Sequence, residues 1–296
     1  MNTKTIFSGI VCPILTPFNT NGEVDIEALK VLVDFLIDHG IETIMTGGTT
    51  GEGMLLSLDE RKIIAETVVK KAKNRCHVVI HTGFITTAGA LELTRHAKAI
   101  GAEGASIITP YFYSYNDEAL FNYYKIIADE VPDFPIALYS FPGNAKQHIH
   151  LNLFKRLISD LPNIVALKLS DPNLILLQEY IQTGGPDFSV LCGVDALMLP
   201  ALSVGAKGEV SGNANVFPEV FIKLYNSYMQ GDLAEAQKQQ ILINKIRAVF
   251  KDELAYFKAA ISLRGIPVGD PRPPISKLTN QELAEMKAGL AELHLL

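Results

Sequence analysis

Tryptophan is absent from the sequence, and cysteine occurs only three times in 296 residues, at Cys12, Cys76 and Cys192. The three cysteines lie far apart, and each falls in an apolar segment that is typical of a β-strand. This spacing lacks the paired cysteines of a structural zinc site. We therefore predict buried thiols in the reduced state.

Long apolar runs and blocks of basic charge are also absent. No run of about 18 apolar residues is present, which argues against a membrane-spanning helix, and the opening MNTKTIFSG lacks the pattern of a secretory signal. Lysine and arginine number 26 against 32 acidic residues, for a net charge of −6. This charge disfavours nucleic-acid binding but permits small anionic substrates, because local positive groups decide their binding. We expect a cytoplasmic enzyme or binding protein.

Several motifs of metal, nucleotide and ester chemistry are missing. His77 precedes His81 by four residues and His148 alternates with His150, but neither pair belongs to an H-E-x-x-H motif or a carboxylate cluster. We therefore predict no metal site. No G-x-S-x-G elbow indicates an esterase, and no G-x-G-x-x-G follows the first predicted strand.

Short apolar segments rich in β-branched residues alternate with amphipathic helical patterns through most of the chain. The predicted strands are apolar on both faces, as is typical of parallel strands covered by helices. Eight strand–helix units fit a closed (β/α)₈ TIM barrel better than an open α/β sheet. The predicted strands lie in the segments GIVCPILTPF, TIMTGG, HVVIHTG, GASIITP, PIALYSFP, NIVALKLS, SVLCGVD and GEVSG.

The strand signal stops near residue 231, and the rest of the sequence is helical in pattern. We predict a barrel over residues 1–231 that carries the active site, and C-terminal helices over residues 232–296 that pack on the barrel. No linker rich in proline, glycine or serine separates the two regions. The predicted fold class is thus α/β, a TIM barrel with an appended helical region.

Functional residues of a TIM barrel lie at the carboxyl ends of the strands and in the loops that follow. Lys168 falls near the end of the sixth predicted strand, inside NIVALKLS. Burial disfavours the ammonium form of a lysine, and the uncharged amine is a nucleophile that forms Schiff bases with carbonyls. The pattern fits equally well a lysine paired with a carboxylate, or one whose head reaches solvent.

Three other strand ends carry candidate residues. The loop GGTTGEG, residues 47–53, follows the second strand, and its backbone N–H groups and threonines suit a carboxylate or phosphate, although a merely flexible loop fits the pattern as well. Tyr139 ends the fifth strand, where a phenol either relays protons or packs its ring and bonds locally. The aromatic stretch at residues 111–115 suits a substrate wall or a subunit interface.

The loop GGTTGEG after strand two, a strand-five tyrosine followed by x-x-Pro, and a strand-six lysine together resemble one protein family. It is the dihydrodipicolinate synthase / N-acetylneuraminate lyase family of pyruvate-linked class I aldolases, and the resemblance covers essentially the whole chain. The resemblance implies that Lys168 is the Schiff-base lysine and that Tyr139 relays protons. It also implies that the Thr49 hydroxyl bonds to Tyr139.

The resemblance further implies that Thr50, Gly48 and the backbone of Val210 bind the substrate, with Thr50 holding the keto-acid carboxylate. The lysine attacks C2 of pyruvate or of a longer 2-keto acid, and the iminium lets the neighbouring C–C bond break or form through an enamine. The family needs no metal and no bound cofactor beyond this covalent Schiff base. Its members are commonly homotetramers built as dimers of dimers.

Two positions depart from the pattern of dihydrodipicolinate synthases. Those enzymes usually carry Tyr-Asn-x-Pro-x-Arg, whose arginine grips the carboxylate of aspartate semialdehyde. This chain has Asn144 at the arginine position, and an amide does not replace a bidentate guanidinium. The same enzymes bring a tyrosine across the dimer interface, and the matching residue here is Phe112, which has no hydroxyl. Tyr111 or Tyr113 is the available substitute.

We therefore expect a lyase that forms or cleaves a C–C bond between pyruvate and an aldehyde, with a 2-keto-3-deoxy sugar acid or 4-hydroxy-2-oxoglutarate as the longer substrate. The run Tyr-Ser-x-Pro-x-Asn resembles 4-hydroxy-2-oxoglutarate aldolases, and GDPRPP resembles 2-keto-3-deoxygluconate aldolases. Lys146 is either a contact for a distal anionic group or a solvated loop lysine. Dihydrodipicolinate synthesis is the disfavoured alternative. A keto-acid-binding protein without turnover is the alternative of another class.

Overall fold

The computed structural model describes residues 6–296, in which eight parallel strands close into a barrel. Each strand pairs with the next along the chain, and β8 closes the sheet on β1 by pairing Gly208 with Gly9. The predicted (β/α)₈ barrel is thereby confirmed. The strands are β1 (Gly9–Pro13), β2 (Thr43–Thr46), β3 (His77–His81), β4 (Gly104–Ile108), β5 (Ile136–Ser140), β6 (Ile164–Leu169), β7 (Ser189–Cys192) and β8 (Gly208–Val210).

Helices cover the outside of the barrel because the segments between strands are amphipathic and carry their own start signals. The second helix begins with a capping box, in which Ser57 and Glu60 each bond to the other's backbone N–H. The side chains of Asp25 and Asn116 cap the first and fourth helices. The helices are α1 (Ile26–Asp38), α2 (Leu58–Ala72), α3 (Thr87–Ala99), α4 (Asp117–Glu130), α5 (Pro142–Ala145), α6 (Leu151–Asp160), α7 (Leu174–Gly184), α8 (Met198–Ser203), α9 (Pro218–Met229), α10 (Leu233–Phe250), α11 (Leu254–Leu263) and α12 (Asn280–Glu292).

Alternation along the strands divides the apolar side chains between two cores. The inward-facing set fills the barrel axis, from Val11 on β1 through Ala166 on β6 to Val210 on β8, and Ile6 and Phe7 join it ahead of β1. The outward-facing set packs against the helices. Because strand residues two apart share a face, the inward positions near the carboxyl ends of the strands form the floor of the candidate site.

The C-terminal helices α10, α11 and α12 pack on the barrel and on one another. On α10, the Gln240 side chain donates to Asp195 O at 2.9 Å and accepts from Leu199 N at 2.8 Å, so it bonds to the segment that follows β7. On α12, Met286 and Leu290 are buried. The helical character predicted for residues 232–296 is confirmed, while the division of the chain at residue 231 stays a prediction.

The first strand is shorter than its apolar pattern indicates. GIVCPILTPF reads as a strand as far as Phe18, but β1 ends at Pro13 and the following residues continue as a buried loop. Proline has no N–H to give to the ladder, and the Leu15 N–H bonds instead to the Asn215 side chain at 3.0 Å. The apolar run GIVCPILTPF therefore predicts correctly which residues are buried, but only its first half forms a strand.

The cysteines are free thiols, with Cys12 and Cys192 buried and Cys76 partly buried. Burial raises the pKa of Cys76 to about 12 and holds the pKa of Cys12 well above its ordinary value. Within residues 6–296, no helix is long and apolar enough to cross a membrane. In the same part of the chain, no group of three or more His, Cys, Asp or Glu side chains could hold a metal ion.

Candidate active site

Lys168 lies near the carboxyl end of β6, with its side chain turned into the barrel. It is on the same face of the strand as Ala166, which belongs to the inward-facing core, and it pairs in register with Tyr139 on β5 and Leu191 on β7. The residue is only 7% exposed. Its Nζ lies 4.2 Å from the centroid of the Tyr139 ring. The amine and the phenol therefore share one enclosed space.

Gly193, just after β7, has no side chain, and the Lys168 side chain lies in the space that a side chain at 193 would fill. A Cβ atom at this position would lie 2.8 Å from Lys168 Cε and 2.5 Å from Ser170 Oγ. Separations this short are repulsive, so a side chain at 193 would displace the lysine stem. Glycine at this position is therefore a steric requirement of the Lys168 conformation.

Tyr139 is buried at the end of β5 and is held by contacts on several sides. Its hydroxyl lies 3.5 Å from the Thr49 hydroxyl, which is the outer limit of a hydrogen bond. Its ring stacks on Phe141 with 5.9 Å between centroids and meets the His81 ring edge-on at 6.0 Å. These contacts hold the phenol in one orientation beside the Lys168 amine.

Close backbone approaches determine the fold of the GGTTGEG loop. A Cβ at Gly53 would overlap the Gly47 carbonyl, and a Cβ at Gly51 would lie 2.9 Å from Ile14 O. Only glycine permits both approaches. The Gly53 N–H also donates to Gly48 O at 3.0 Å, which closes the turn.

The two threonines lie at the tip of this loop. Thr49 is exposed toward the mouth of the barrel, while Gly48 behind it is buried and Thr50 is partly buried. The Thr50 hydroxyl lies 3.0 Å from where a Cβ of Gly212 would be, so the loop rests against the segment that follows β8. Val210, the last residue of β8, is 4% exposed and belongs to the inward-facing core.

His81 and Arg61 form a buried polar pair next to Tyr139 that the sequence motifs did not reveal. Arg61 Nη2 lies 3.2 Å from His81 Nδ1 and 2.6 Å from His81 O, and Nη1 donates to Gly83 O at 3.1 Å. Because a guanidinium can only donate, His81 Nδ1 is the acceptor and the neutral ring carries its hydrogen on Nε2. The arginine thus determines the tautomer of a histidine in the candidate site.

Burial governs the charge of this pair. It lowers the pKa of His81 well below the ordinary value, and the positive charges of Arg61 and Lys168 lower it further. Burial also lowers the pKa of Arg61 to about 10. His81 ends β3, so its position at a strand end is the one feature of the sequence that marks it as a candidate site residue. Arg61 lies within α2, and its position in the sequence gives no such indication.

Asn144 and Phe112 lie on the surface and are not enclosed with Lys168 in the single chain. Asn144 is exposed on α5. Phe112 is 77% exposed and has a φ of +81°, a conformation that is rare for bulky residues. The Lys146 ammonium donates to Gly143 O at 2.8 Å within its own loop.

The tyrosines on either side of Phe112 have different surroundings. Tyr111 packs against a small buried cluster of Ile108, Tyr139 and Ala145. Tyr113 is 62% exposed, and its ring meets the Phe112 ring edge-on at 4.9 Å. Of the two phenols, Tyr111 is therefore the one that packs beside Tyr139.

Two buried carboxyl groups, Glu209 and Asp195, lie behind the site on the helix-facing side of β7 and β8. Glu209 is 0% exposed, and Asp195 and the Cys192 thiol lie close to its carboxyl group. Asp195 Oδ2 accepts from Ser211 Oγ and Asn213 Nδ2, both at 2.7 Å. Burial raises the pKa of both carboxyl groups, and for Glu209 the pKa lies well above its ordinary value.

A cleft of about 1030 Å³ lies away from these residues, between residues 19–22 and the GDPRPP segment. Its lining includes Lys258 and Arg272 and none of the candidate catalytic or substrate-binding residues. The cleft and the candidate site are therefore separate, and the candidate site lies at the carboxyl ends of the strands, where TIM barrels carry their functional residues.

Relatives with similar sequences span nearly the whole chain. The dihydrodipicolinate synthetase family matches residues 6–293. A 4-hydroxy-tetrahydrodipicolinate synthase of Thermus thermophilus is 37% identical over 289 residues, which are 97% of this chain and 96% of that protein. An uncharacterised DapA-like lyase of Pyrococcus horikoshii is 35% identical over 272 residues, which are 90% of this chain and 93% of that protein.

Solved structures agree with this result. Dihydrodipicolinate synthase from Aquifex aeolicus has a TM-score of 0.93 at 34% identity, covering 98% of this chain and 99% of that chain. A prophage protein of the dihydrodipicolinic acid synthase family from E. coli K12, in complex with pyruvate, has a TM-score of 0.94 at 31% identity, covering 98% and 100%. The matched length includes the C-terminal helices. The chain therefore belongs to the dihydrodipicolinate synthetase family, and it is a carbon–carbon lyase of the aldolase type.

Proposed function

We propose that the chain joins pyruvate to an aldehyde, or cleaves the product, through a Schiff base on Lys168. The observation that carries this proposal is the enclosure of the Lys168 amine 4.2 Å from the centroid of the Tyr139 ring, beside the contact of Tyr139 with Thr49. Carbinolamine formation and dehydration need a nucleophile and a proton donor in one space. Membership of a family whose enzymes use a lysine Schiff base with pyruvate supports the same assignment.

In this mechanism the 2-keto acid binds first, with its carboxylate on Thr50, while the Thr49 hydroxyl stays beside Tyr139. Glycines around the two threonines free the backbone N–H groups to face an anion, and Gly48 and the Val210 backbone line the same space. The unprotonated Lys168 amine then attacks C2. The carbonyl oxygen takes a proton from Tyr139, and the attacking nitrogen returns one of its own protons to the phenolate. A second proton from Tyr139 lets the oxygen leave as water, so that a C=N bond replaces the C=O bond and Tyr139 is left as the phenolate.

The iminium draws electrons from the neighbouring carbons. In the cleavage direction the C4 hydroxyl gives its proton to Tyr139, the C3–C4 bond breaks, and its electron pair forms the enamine while C4 departs as the aldehyde. The enamine takes up a proton at C3, and water hydrolyses the iminium to release pyruvate and free Lys168. Condensation runs through the same steps in reverse.

The proposed longer substrate is a 2-keto-3-deoxy sugar acid or a compound of the 4-hydroxy-2-oxoglutarate type. Asn144 occupies the position where dihydrodipicolinate synthases usually carry arginine. An amide both donates to and accepts from hydroxyl groups but lacks the charge and the fork of a guanidinium. The name of the 37% identical relative, 4-hydroxy-tetrahydrodipicolinate synthase, favours dihydrodipicolinate synthesis as the alternative, and the substrate panel below separates the two.

Phe112 supports an assembly in which a second copy of the chain completes the aldehyde end of the site. Its side chain is 77% exposed although its backbone φ is +81°. Strain at an exposed aromatic residue is expected where the residue has a use outside its own chain. We infer a homotetramer built as a dimer of dimers, and a mass measured by light scattering tests it.

Borohydride reduction tests the Schiff base. In the presence of pyruvate, peptide mass spectrometry is expected to find a reduced adduct on Lys168. Lys168→Ala should abolish the adduct, whereas Lys155→Ala, which removes an exposed lysine of α6, should retain it. Absence of an adduct with pyruvate and related keto acids in the unmodified chain contradicts the proposal.

Turnover separates an enzyme from a keto-acid-binding protein, an alternative that the missing hydroxyl of Phe112 favours. Pyruvate release is measured from 2-keto-3-deoxygluconate, 4-hydroxy-2-oxoglutarate and N-acetylneuraminate, beside condensation of pyruvate with aspartate semialdehyde. We expect release from one of the first two compounds. Adduct formation on Lys168 without turnover of any of the four indicates the binding protein instead.

A further inference from the structure

A buried ion pair connects the GGTTGEG loop to the C-terminal helices. The carboxyl group of Glu52, inside the loop, lies 2.6 Å from the ammonium of Lys258 on α11, and the two side chains are 0% and 1% exposed. Removing two charges from water costs free energy that their attraction only partly returns. A buried pair therefore need not add to the stability of the fold. Its other possible role is to hold the connected segments in a fixed arrangement.

Both oxygens of the Glu52 carboxyl group are engaged. Oε1 faces Lys258, and Oε2 accepts from the backbone N–H of Arg272 at 2.7 Å. Lys258 also donates to Asp270 O at 3.2 Å, and its ammonium lies 4.1 Å from the centroid of the Phe18 ring. The GDPRPP segment, residues 269–274, and α11 therefore bind the same carboxyl group from two directions.

A second tether from Arg272 holds the chain just after the loop. Its guanidinium donates to Leu55 O at 3.0 Å and binds both oxygens of Glu60 on α2, at 3.0 and 2.7 Å. Bidentate pairing of this kind restricts orientation as well as distance. The GDPRPP segment thus binds the GGTTGEG loop at Glu52 and binds the chain again at Leu55, two residues after the loop.

Glu52 is tied directly to the proposed catalytic residues. Its backbone has a φ of +55°, a left-handed conformation that costs free energy in a non-glycine residue. In that conformation its N–H donates to Thr49 O at 3.0 Å. Thr49 is the residue whose hydroxyl meets Tyr139, so the position of Glu52 sets one end of that contact.

Phe257, the neighbour of Lys258, lies beside the segment against which the other threonine rests. A Cβ at Gly212 would lie 3.2 Å from Phe257 Cε2 and 3.0 Å from Thr50 Oγ1. Phe257 and Thr50 therefore flank the same glycine after β8. Helix α11 supports the loop through Lys258 and the adjoining segment through Phe257.

We propose that Glu52 and Lys258 are positioning residues for keto-acid binding, through which the C-terminal helices set the conformation of Thr49 and Thr50. The pair does not touch the substrate in this proposal. It holds the strained backbone that presents the carboxylate-binding groups. The inference rests on the proposed function, because it assigns the Thr49–Thr50 segment to the keto acid.

The test replaces both partners at once, with Glu52→Gln and Lys258→Met. The double variant removes the charges with side chains of similar size and leaves no unpaired buried charge, so we expect it to fold. The pyruvate concentration that gives half-maximal borohydride trapping should rise about tenfold or more, because small displacements of binding groups carry large penalties. The maximal trapping rate should change far less.

The matched control makes the same replacements at an exposed ion pair. Lys62→Met with Glu92→Gln breaks a pair between α2 and α3 and should leave half-saturation unchanged. If the first double variant fails to fold, Glu52→Gln with Lys258→Leu, which also leaves no unpaired buried charge, carries the same expectation. A variant with a lowered melting temperature but the unmodified half-saturation overturns the positioning role.

Hydrogen exchange gives a reading that is independent of catalysis. Amides of residues 47–53 should exchange faster in the Glu52–Lys258 double variant than in the unmodified chain or the Lys62–Glu92 control. Equal exchange in all three chains contradicts the proposal. Absence of a pyruvate adduct in the unmodified chain would refute the proposed function instead, and the exchange measurement then decides the positioning role by itself.

Discussion

The two sides of the proposed site differ in how completely a single chain builds them. The keto-acid side, formed by Lys168, Tyr139 and the Thr49–Thr50 segment, centres on two residues that are 7% and 2% exposed. The aldehyde side, formed by Phe112 and Asn144, is exposed and lies on the loop after β4 and on the short helix α5 after β5. Packing within the barrel determines the first side, while surface loops accept substitutions at little cost to the fold. On the proposed function, we therefore expect substitutions to change the choice of aldehyde separately from the chemistry.

Tyr139→Phe should have the largest effect, because it removes the proposed proton donor and leaves the rest of the keto-acid side in place. We expect the turnover number to fall about 10²- to 10⁴-fold, with little change in melting temperature, since the ring still packs on Phe141 and His81. Pyruvate release measures turnover. Tyr225→Phe on α9 is the control, and an unchanged turnover number in Tyr139→Phe contradicts the assigned role.

Gly193→Ala tests whether steric space on the keto-acid side is as restricted as the structure indicates. The added methyl would lie 2.8 Å from Lys168 Cε, so we expect slower pyruvate trapping and a loss of about 1–3 kcal/mol in the free energy of unfolding. Borohydride trapping quenched at successive times measures the trapping rate, and urea unfolding measures the free energy of unfolding.

Gly143→Ala provides the matched substitution on the aldehyde side. The nearest atom to its Cβ is Phe141 Cε2 at 3.4 Å, an ordinary contact. We expect pyruvate trapping by Gly143→Ala to equal that of the unmodified chain. Equal losses in Gly193→Ala and Gly143→Ala would remove the contrast between the two sides.

Asn144→Arg should move substrate preference without touching the chemistry. A guanidinium at this position supplies charged hydrogen bonds to a carboxylate, worth about tenfold or more in relative activity. The ratio of condensation with aspartate semialdehyde to cleavage of 2-keto-3-deoxygluconate is expected to rise by that factor, while pyruvate trapping stays constant. A change in trapping would show that the two sides are coupled.

The last prediction concerns the stability of the chain, through the buried carboxyl groups behind the keto-acid side. Burial raises the pKa of Glu209, so the folded chain keeps its proton to a higher pH than the unfolded chain, where glutamate ionises near about 4.3. The free energy of unfolding therefore falls as the pH rises above that value, by at most about 1.4 kcal/mol per pH unit from this group. Asp195, whose pKa burial also raises, contributes in the same direction.

Glu209→Gln replaces the titrating carboxyl group with an amide and should make the free energy of unfolding less dependent on pH. Urea unfolding at about pH 5 and about pH 8 is the measurement. We expect the variant to lose less stability between the two values than the unmodified chain, with trapping of pyruvate unaffected. Identical losses in both chains would place Glu209 outside the groups that govern alkaline stability.

Prediction from the sequence succeeded where a local pattern has one structural meaning. Continuous apolar runs bounded by helix caps gave the eight strands, since parallel strands are buried on both faces. The end of β1 was missed because burial continues past Pro13, whereas the ladder to β2 ends with the Ile14 N–H bond to Met45 O. The sequence does not single out His81, because its spacing from His77 indicates only a failed metal pair, and it does not single out Arg61, because a charged helix residue is ordinarily solvated.

The sequence by itself determined the barrel, the strand positions of Lys168 and Tyr139, and the glycines that shape the GGTTGEG loop after β2, because these depend on periodicity and on residues close in the chain. Only the tertiary structure decided the tautomer of His81 and the pairing of Glu52 with Lys258. Those contacts join residues about twenty to two hundred positions apart, and a pair acquires its strength from shared burial, which exists only after the chain has folded.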